Sequence, residues 1–205
     1  MRQNFTIAAC IAICLPLAFT ACNSSSSTNN QTADSTATTM KYGGYESQAA
    51  WGKHLVAIGG CNDCHTPKKM GPNGPEDDTA LLLSGHPSQM PPPDVDRKMV
   101  EAKGLALTNT ESAWMGPWGI SFSANLTPDS TGLGTWTEEQ WFTCVKQGKY
   151  MGLETSRPLM PPMPVTSTMS MTDDELRAIF AYLKTIKPIH NVVPAYMPPV
   201  TAMKK

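Results

Sequence analysis

The chain has 205 residues, a formal net charge of −1, six cysteines, thirteen methionines, eighteen prolines and fifteen glycines. A charge this close to zero argues against nucleic acid or a strongly anionic surface as a partner. So much proline and glycine argues against long unbroken elements, and the residues from about 40 onward suit one loop-rich domain.

The N-terminal residues read as an export signal. Arg2 precedes an apolar run over residues 5–19, too short for a comfortable membrane span. Phe19-Thr20-Ala21-Cys22 then resembles a bacterial lipobox, with Phe19 where Leu is usual. This predicts a lipoprotein-type signal over residues 1–21 and acylation at Cys22. Residues 22–44 are mostly Ser, Thr and Asn with little apolar content. They cannot bury enough surface to offset their ordering entropy, so they read as a flexible tether. The expected location is the periplasmic side of a membrane, anchored by lipid. Asn23 after the cysteine resembles the sorting pattern for the outer membrane.

The first domain helix is predicted over residues 47–58, where Trp51, Leu55 and Ile58 form an i, i+4, i+7 stripe. Gly52 inside it costs about 1 kcal/mol relative to Ala, which points to a close helix contact. His54 on this helix reads as an exposed or hydrogen-bonded histidine. Gly59-Gly60 ends the helix and leads into Cys61-Asn62-Asp63-Cys64-His65.

That C-x-x-C-H stretch is the pattern of covalent c-type haem attachment. Two thiols at this spacing can each bond one vinyl group of a porphyrin, and the adjacent imidazole falls beneath the iron as its proximal ligand. A tetrahedral zinc site would need a second ligand pair, which does not follow. A thioredoxin-like pair would need a βαβ pattern, which the chain lacks. One such motif predicts one haem. Cys10 and Cys14 fall within the signal, so only Cys144 is left over, and it reads as a small buried apolar side chain.

Residues 66–124 read as a long irregular excursion broken by Pro67, Pro72, Pro75, Pro87 and Pro91-Pro92-Pro93. Short apolar pieces at 80–83 and 99–107 could each form a turn of helix or a short strand. His86 within it reads as structural or surface. A helix is predicted over residues 136–148, where Thr137 and Gln140 form a capping box and Gly148 terminates. The last helix carries a second box, Thr172 with Glu175, and a stripe of Leu176, Ile179, Phe180 and Leu183. Lys184 and Lys187 suit its negative end, and Pro188 closes it. Between these helices lies Arg157-Pro158-Leu159-Met160-Pro161-Pro162-Met163-Pro164. Prolines restrict the unfolded loop, so this segment can present a thioether rigidly, from Met160 or from Met163. A soft, neutral thioether would raise the haem potential and fill the sixth position.

The chain resembles class I c-type cytochromes, particularly single-haem domains similar to the cytochrome subunits of membrane-bound bacterial dehydrogenases. The matching stretches are Gly60-Cys61-Asn62-Asp63-Cys64-His65-Thr66-Pro67, Leu83-Ser84-Gly85-His86-Pro87, Asn125-Leu126-Thr127-Pro128-Asp129, Gly132-Leu133-Gly134-Thr135-Trp136-Thr137, Pro162-Met163-Pro164 and Ala181-Tyr182-Leu183. They span nearly all of residues 45–195, within a cytochrome c domain assigned to 45–205. The resemblance implies an all-α fold, with a Pro-rich insertion between the C-x-x-C-H motif and the axial methionine. It implies that the first and last helices cross near the haem. It implies Met163 as axial ligand, with Met160 second, and haem contact by Asn125, Leu126, Thr127 and Pro128. Val165 departs from the aromatic residue that often follows Met-Pro in the family.

The function so implied is a periplasmic single-electron carrier, not itself an enzyme. One covalent haem c is held by Cys61, Cys64, His65 and Met163. Electrons pass from a dehydrogenase to a respiratory acceptor. The alternative is a haem enzyme or ligand sensor with a displaceable sixth ligand, for which His54 or His86 could supply acid–base chemistry.

Overall fold

The computed structural model describes residues 41–202. The expected signal, Cys22 and the tether as far as residue 40 lie outside the described residues. Residues 41–44, counted above with the tether, form a short 3₁₀ turn, and an added Cβ on Gly43 would sit 3.1 Å from the Trp51 indole nitrogen.

Three helices make the frame, and each begins where its cap directs. Helix α1 (Gln48–Ile58) starts at Ser47, whose hydroxyl accepts from the Ala50 N–H. Helix α4 (Glu138–Gln147) and helix α6 (Asp173–Leu183) open on complete capping boxes, Thr137 with Gln140 and Thr172 with Glu175. Gly148 ends α4 at φ 65°, a left-handed conformation that suits glycine. Helices α2 (Cys61–His65), α3 (Arg97–Ala102) and α5 (Val165–Ser170) are single turns or little more.

The core lies between α1, α4 and α6. Leu55 and Val56 of α1 meet Leu176, Ala178, Ile179, Phe180 and Leu183 of α6, with Trp141 and Val145 of α4 alongside. The Trp141 ring stacks on Phe180 at 5.7 Å, and its indole N–H donates to the Leu176 carbonyl. Each fully buried leucine here contributes roughly 1.5–3 kcal/mol relative to exposure. One expected stripe member fails: Ile58 is 67 % exposed, and Val56 is buried in its place. Lys184 also differs from expectation. Its ammonium reaches away from its own helix to the carbonyls of Leu133 and Gly134, each at 2.8 Å.

The all-α expectation is overturned. Five short strands in two antiparallel sheets make the fold mixed α and β. Strand β1 (Lys68–Gly71) pairs with β2 (Gly74–Asp77) as a hairpin. Strands β3 (Leu107–Thr108), β4 (Ala113–Gly116) and β5 (Gly119–Phe122) form the second sheet. All five come from the segment read as irregular. Both tight hairpins turn on the same tetrapeptide pattern, Gly71-Pro72-Asn73-Gly74 and Gly116-Pro117-Trp118-Gly119. Proline presets φ at the second turn position, and the closing glycines take φ of 120° and 99°. Val100, Met115 and Ile120 form a second small core beneath β4 and β5.

Beyond α6 the chain runs as an extended strap. Asn191 donates to the Ser84 and His86 carbonyls, and Met197 exchanges both backbone hydrogen bonds with Ile120 of β5. Arg97 donates to the Pro198 carbonyl, and Glu101 accepts from the Val200 N–H.

Candidate haem-attachment site

The motif folds as α2, one helical turn that begins at Gly60. This residue has φ 65°, and an added Cβ would lie 2.9 Å from an Asp63 carboxylate oxygen, so the sharp entry requires glycine. At the other end Thr66 is fully buried. Its hydroxyl accepts from the Leu83 N–H and donates to the Asn62 side chain, at 3.0 and 3.3 Å. Gly85 N–H donates to the His65 carbonyl at 2.8 Å. The turn is therefore held from both ends before any cofactor is considered.

Cys61, Cys64 and Cys144 are free, half-buried thiols. Cys61 and Cys64 sit three residues apart on one helical turn, and so on one face. Burial pushes the Cys61 thiol up to about 11 and raises Cys64 as well, so both are neutral S–H groups at neutral pH. Burial likewise pushes Cys144 to about 11; it packs against the main core, as a small apolar residue would.

His65 is oriented by one bond. Its Nδ1 lies 2.8 Å from the Ala124 carbonyl oxygen. A carbonyl can only accept, so Nδ1 carries the proton and Nε2 keeps a free lone pair. Burial holds the ring pKa below its ordinary value, and the Ala124 bond acts in the opposite direction. A neutral imidazole with its far nitrogen free is the form that binds a metal.

Met160 and Met163 are both half-buried in a loop fastened at several points. Leu159 N–H donates to the Gly148 carbonyl at 2.7 Å, Met163 N–H to the Met160 carbonyl at 3.3 Å, and Val165 N–H to the Met163 carbonyl at 2.9 Å. Arg157 lies over the rings of Tyr150 and Tyr196, at 3.9 and 4.9 Å. The Ser121 hydroxyl of β5 donates to the Pro161 carbonyl at 2.5 Å. Ser121 and Ala124 are three residues apart, so one short stretch of chain fastens both the methionine loop and the His65 ring.

The stretch 125–128 is divided. Asn125 and Thr127 are buried and turn inward: Asn125 donates to Thr131 and the Ile189 carbonyl, and its side-chain oxygen accepts from the Thr127 N–H and hydroxyl. Leu126 and Pro128 are half-buried, Leu126 against the main core. His86 is fully buried, with Nδ1 paired to Ser112 and Nε2 to the Met90 carbonyl. His54 is exposed and stacks on Tyr45 at 5.1 Å. Sequence reasoning missed Ala124 and Ser121. A backbone acceptor and a lone serine in a strand carry no pattern that would have found them.

This donor set fits a haem c. Two neutral thiols share a helical turn, the next residue offers a free imidazole nitrogen, and two thioethers sit in a braced loop. No group of three or more His, Cys, Asp or Glu side chains among the described residues converges as a metal site.

No protein-family model matches the chain. It is 26% identical over 145 residues to one of the subunits of nicotinate dehydrogenase from Pseudomonas putida, covering 70% of this chain and 9% of that protein. It is 33% identical over 76 residues to the fructose dehydrogenase cytochrome subunit of Gluconobacter japonicus, covering 36% and 15%. It is 32% identical over 79 residues to the gluconate 2-dehydrogenase cytochrome c subunit of Pantoea cypripedii, covering 38% and 16%. The chain thus spans less than a fifth of each relative's length, and two of these relatives are cytochrome subunits of dehydrogenases.

Proposed function

We propose that this chain is a single-electron carrier, not a catalyst, holding one haem c through Cys61 and Cys64 with His65 and Met163 as axial ligands. When bound, the haem supplies one-electron cycling of its iron. The protein's part is to hold that group still and keep solvent ligands away. The observation that carries the reading is the Nδ1 bond from His65 to Ala124, which leaves Nε2 as the only free ring nitrogen in the motif. The free state of both motif cysteines and the likeness to cytochrome subunits support it.

A thioether in the sixth position leaves no open site for oxygen or peroxide, and that favours electron transfer over chemistry at the iron. The proposed partners are a dehydrogenase as donor and a respiratory acceptor. We place the carrier on the periplasmic side of a membrane, preferably the outer membrane, lipid-anchored at Cys22. Such a leash would keep its concentration near the partners high while allowing reach. No helix among the described residues is long and apolar enough to cross a membrane.

The test is spectroscopic. The exported protein should give a pyridine haemochrome of one haem c per chain. Its oxidised form should show the far-red band of thioether-to-iron charge transfer. Met163→Ala should abolish that band and Met160→Ala should retain it. The reverse pattern would reassign the ligand to Met160. Absence of covalent haem would end the reading.

A further inference from the structure

We propose that Ser121 is a positioning residue for the sixth ligand, the keystone of a hydrogen-bonded chain that holds the methionine loop shut. The proposal rests on the axial role of the loop argued above. The chain has three links. Tyr196 of the C-terminal strap donates its hydroxyl to the Trp118 carbonyl at 2.5 Å. The Trp118 indole N–H donates to the Ser121 hydroxyl oxygen at 3.2 Å. Ser121 donates onward to the Pro161 carbonyl at 2.5 Å, between the two candidate methionines.

The direction of every proton in this chain is forced. An indole N–H only donates, and a carbonyl only accepts. The Ser121 hydroxyl therefore receives from Trp118 and gives to Pro161, with no freedom to reverse. Ser121 is 9 % exposed, so water competes poorly for either bond. The hairpin turn brings Trp118 back over its own strand: an added Cβ on Gly116 would meet the Trp118 ring at 2.5 Å. The strap fixes the same hairpin from outside through the Met197–Ile120 pairing. Arg157, at the start of the methionine loop, stacks on the Tyr196 ring that also donates to Trp118. The loop is thus tied at two points to one assembly of strand, turn and strap.

The His65 tether is the Ala124 carbonyl, three residues beyond Ser121 on the same stretch of chain. Loss of the Ser121 hydroxyl leaves that second tether intact. The consequence is asymmetric: the thioether side loosens while the imidazole side stays fixed. A braced thioether resists displacement, and an unbraced one exchanges.

The experiment compares carbon monoxide binding to the reduced, haem-loaded wild type, Ser121→Ala, Tyr196→Phe and Met163→Ala, with the far-red band of each oxidised form. Ser121→Ala should bind carbon monoxide about fivefold faster than wild type, the population change that corresponds to losing a hydrogen bond of about 1 kcal/mol. It should keep its His65 ligation and a weakened far-red band. Ser121→Thr, which retains the hydroxyl, should restore the wild-type rate. Tyr196→Phe removes only the outermost donor and should shift the rate in the same direction by less. It carries the test alone if Ser121→Ala fails to mature. Wild-type rates in both Ser121→Ala and Tyr196→Phe, beside prompt binding by Met163→Ala, would overturn the positioning role and leave the axial assignment standing. A far-red band that survives both Met163→Ala and Met160→Ala would instead remove the loop's axial role on which this proposal rests.

Discussion

Replacing Gly52 by alanine should destabilise the domain, although alanine is the better helix former. Glycine lacks a Cβ here because α6 passes directly over it. An added Cβ would overlap the Ala178 carbonyl and stand 2.9 Å from the Tyr182 Cβ. Ordinary carbon contacts lie at about 3.5–4.0 Å, so the two helices would have to part by an ångström or more. Overpacking of this kind costs about 1–3 kcal/mol, and a collision with backbone belongs at the upper end. The gain in helix propensity returns about 1 kcal/mol. The net expectation is a loss of about 2 kcal/mol. For a domain of this size that lowers the thermal midpoint by roughly 4–8 °C. Thermal unfolding followed by far-ultraviolet circular dichroism would measure it. A midpoint equal to or above the wild type would refute the close crossing, because propensity alone would then govern the site.

Two further predictions concern groups away from the motif. His86 is fully buried with both ring nitrogens engaged, and its pKa lies below 6.5 because burial disfavours the charged ring, with the Met90 bond opposing. The unfolded chain then binds more protons than the folded one as pH falls below 6.5, so stability is fully present above that pH and declines toward the lower folded pKa. Chemical denaturation between pH 8 and pH 5 should show this decline, and His86→Asn should flatten it; an unchanged slope in the variant would refute the assignment. Lys184→Met keeps the side-chain length but removes a charged donor shared by the Leu133 and Gly134 carbonyls. It should cost about 2 kcal/mol by the same assay, the usual value for hydrogen bonds from a charged group, and an unaltered denaturation midpoint would contradict it.

The helical frame was legible because its signals are local. Thr137 with Gln140 and Thr172 with Glu175 are caps that read correctly without any tertiary context, and Gly52 marked the close crossing. Ile58 misled because it ends the helix, where the stripe no longer faces the neighbour. The strands were hidden for a physical reason. At two to four residues each, they are too short for an alternating pattern to rise above the surrounding prolines. The repeated Gly-Pro-Xaa-Gly tetrapeptide was the readable clue to both hairpins. In the candidate site, Cys61, Cys64 and His65 declare themselves by spacing. Ala124 does not, because any residue can offer a carbonyl, and its position depends on the β5 hairpin that the sequence did not reveal.

The strap beyond α6 fastens to the folded unit residues that a count of helices alone would leave out. Reading helices alone, one would end it near Leu183 and treat the remainder as a tail. Yet Met197 occupies the outer rim of β5, where unpaired amide and carbonyl groups would otherwise offer a template to another molecule. By filling that rim, Met197 acts as a built-in guard against self-association through β5.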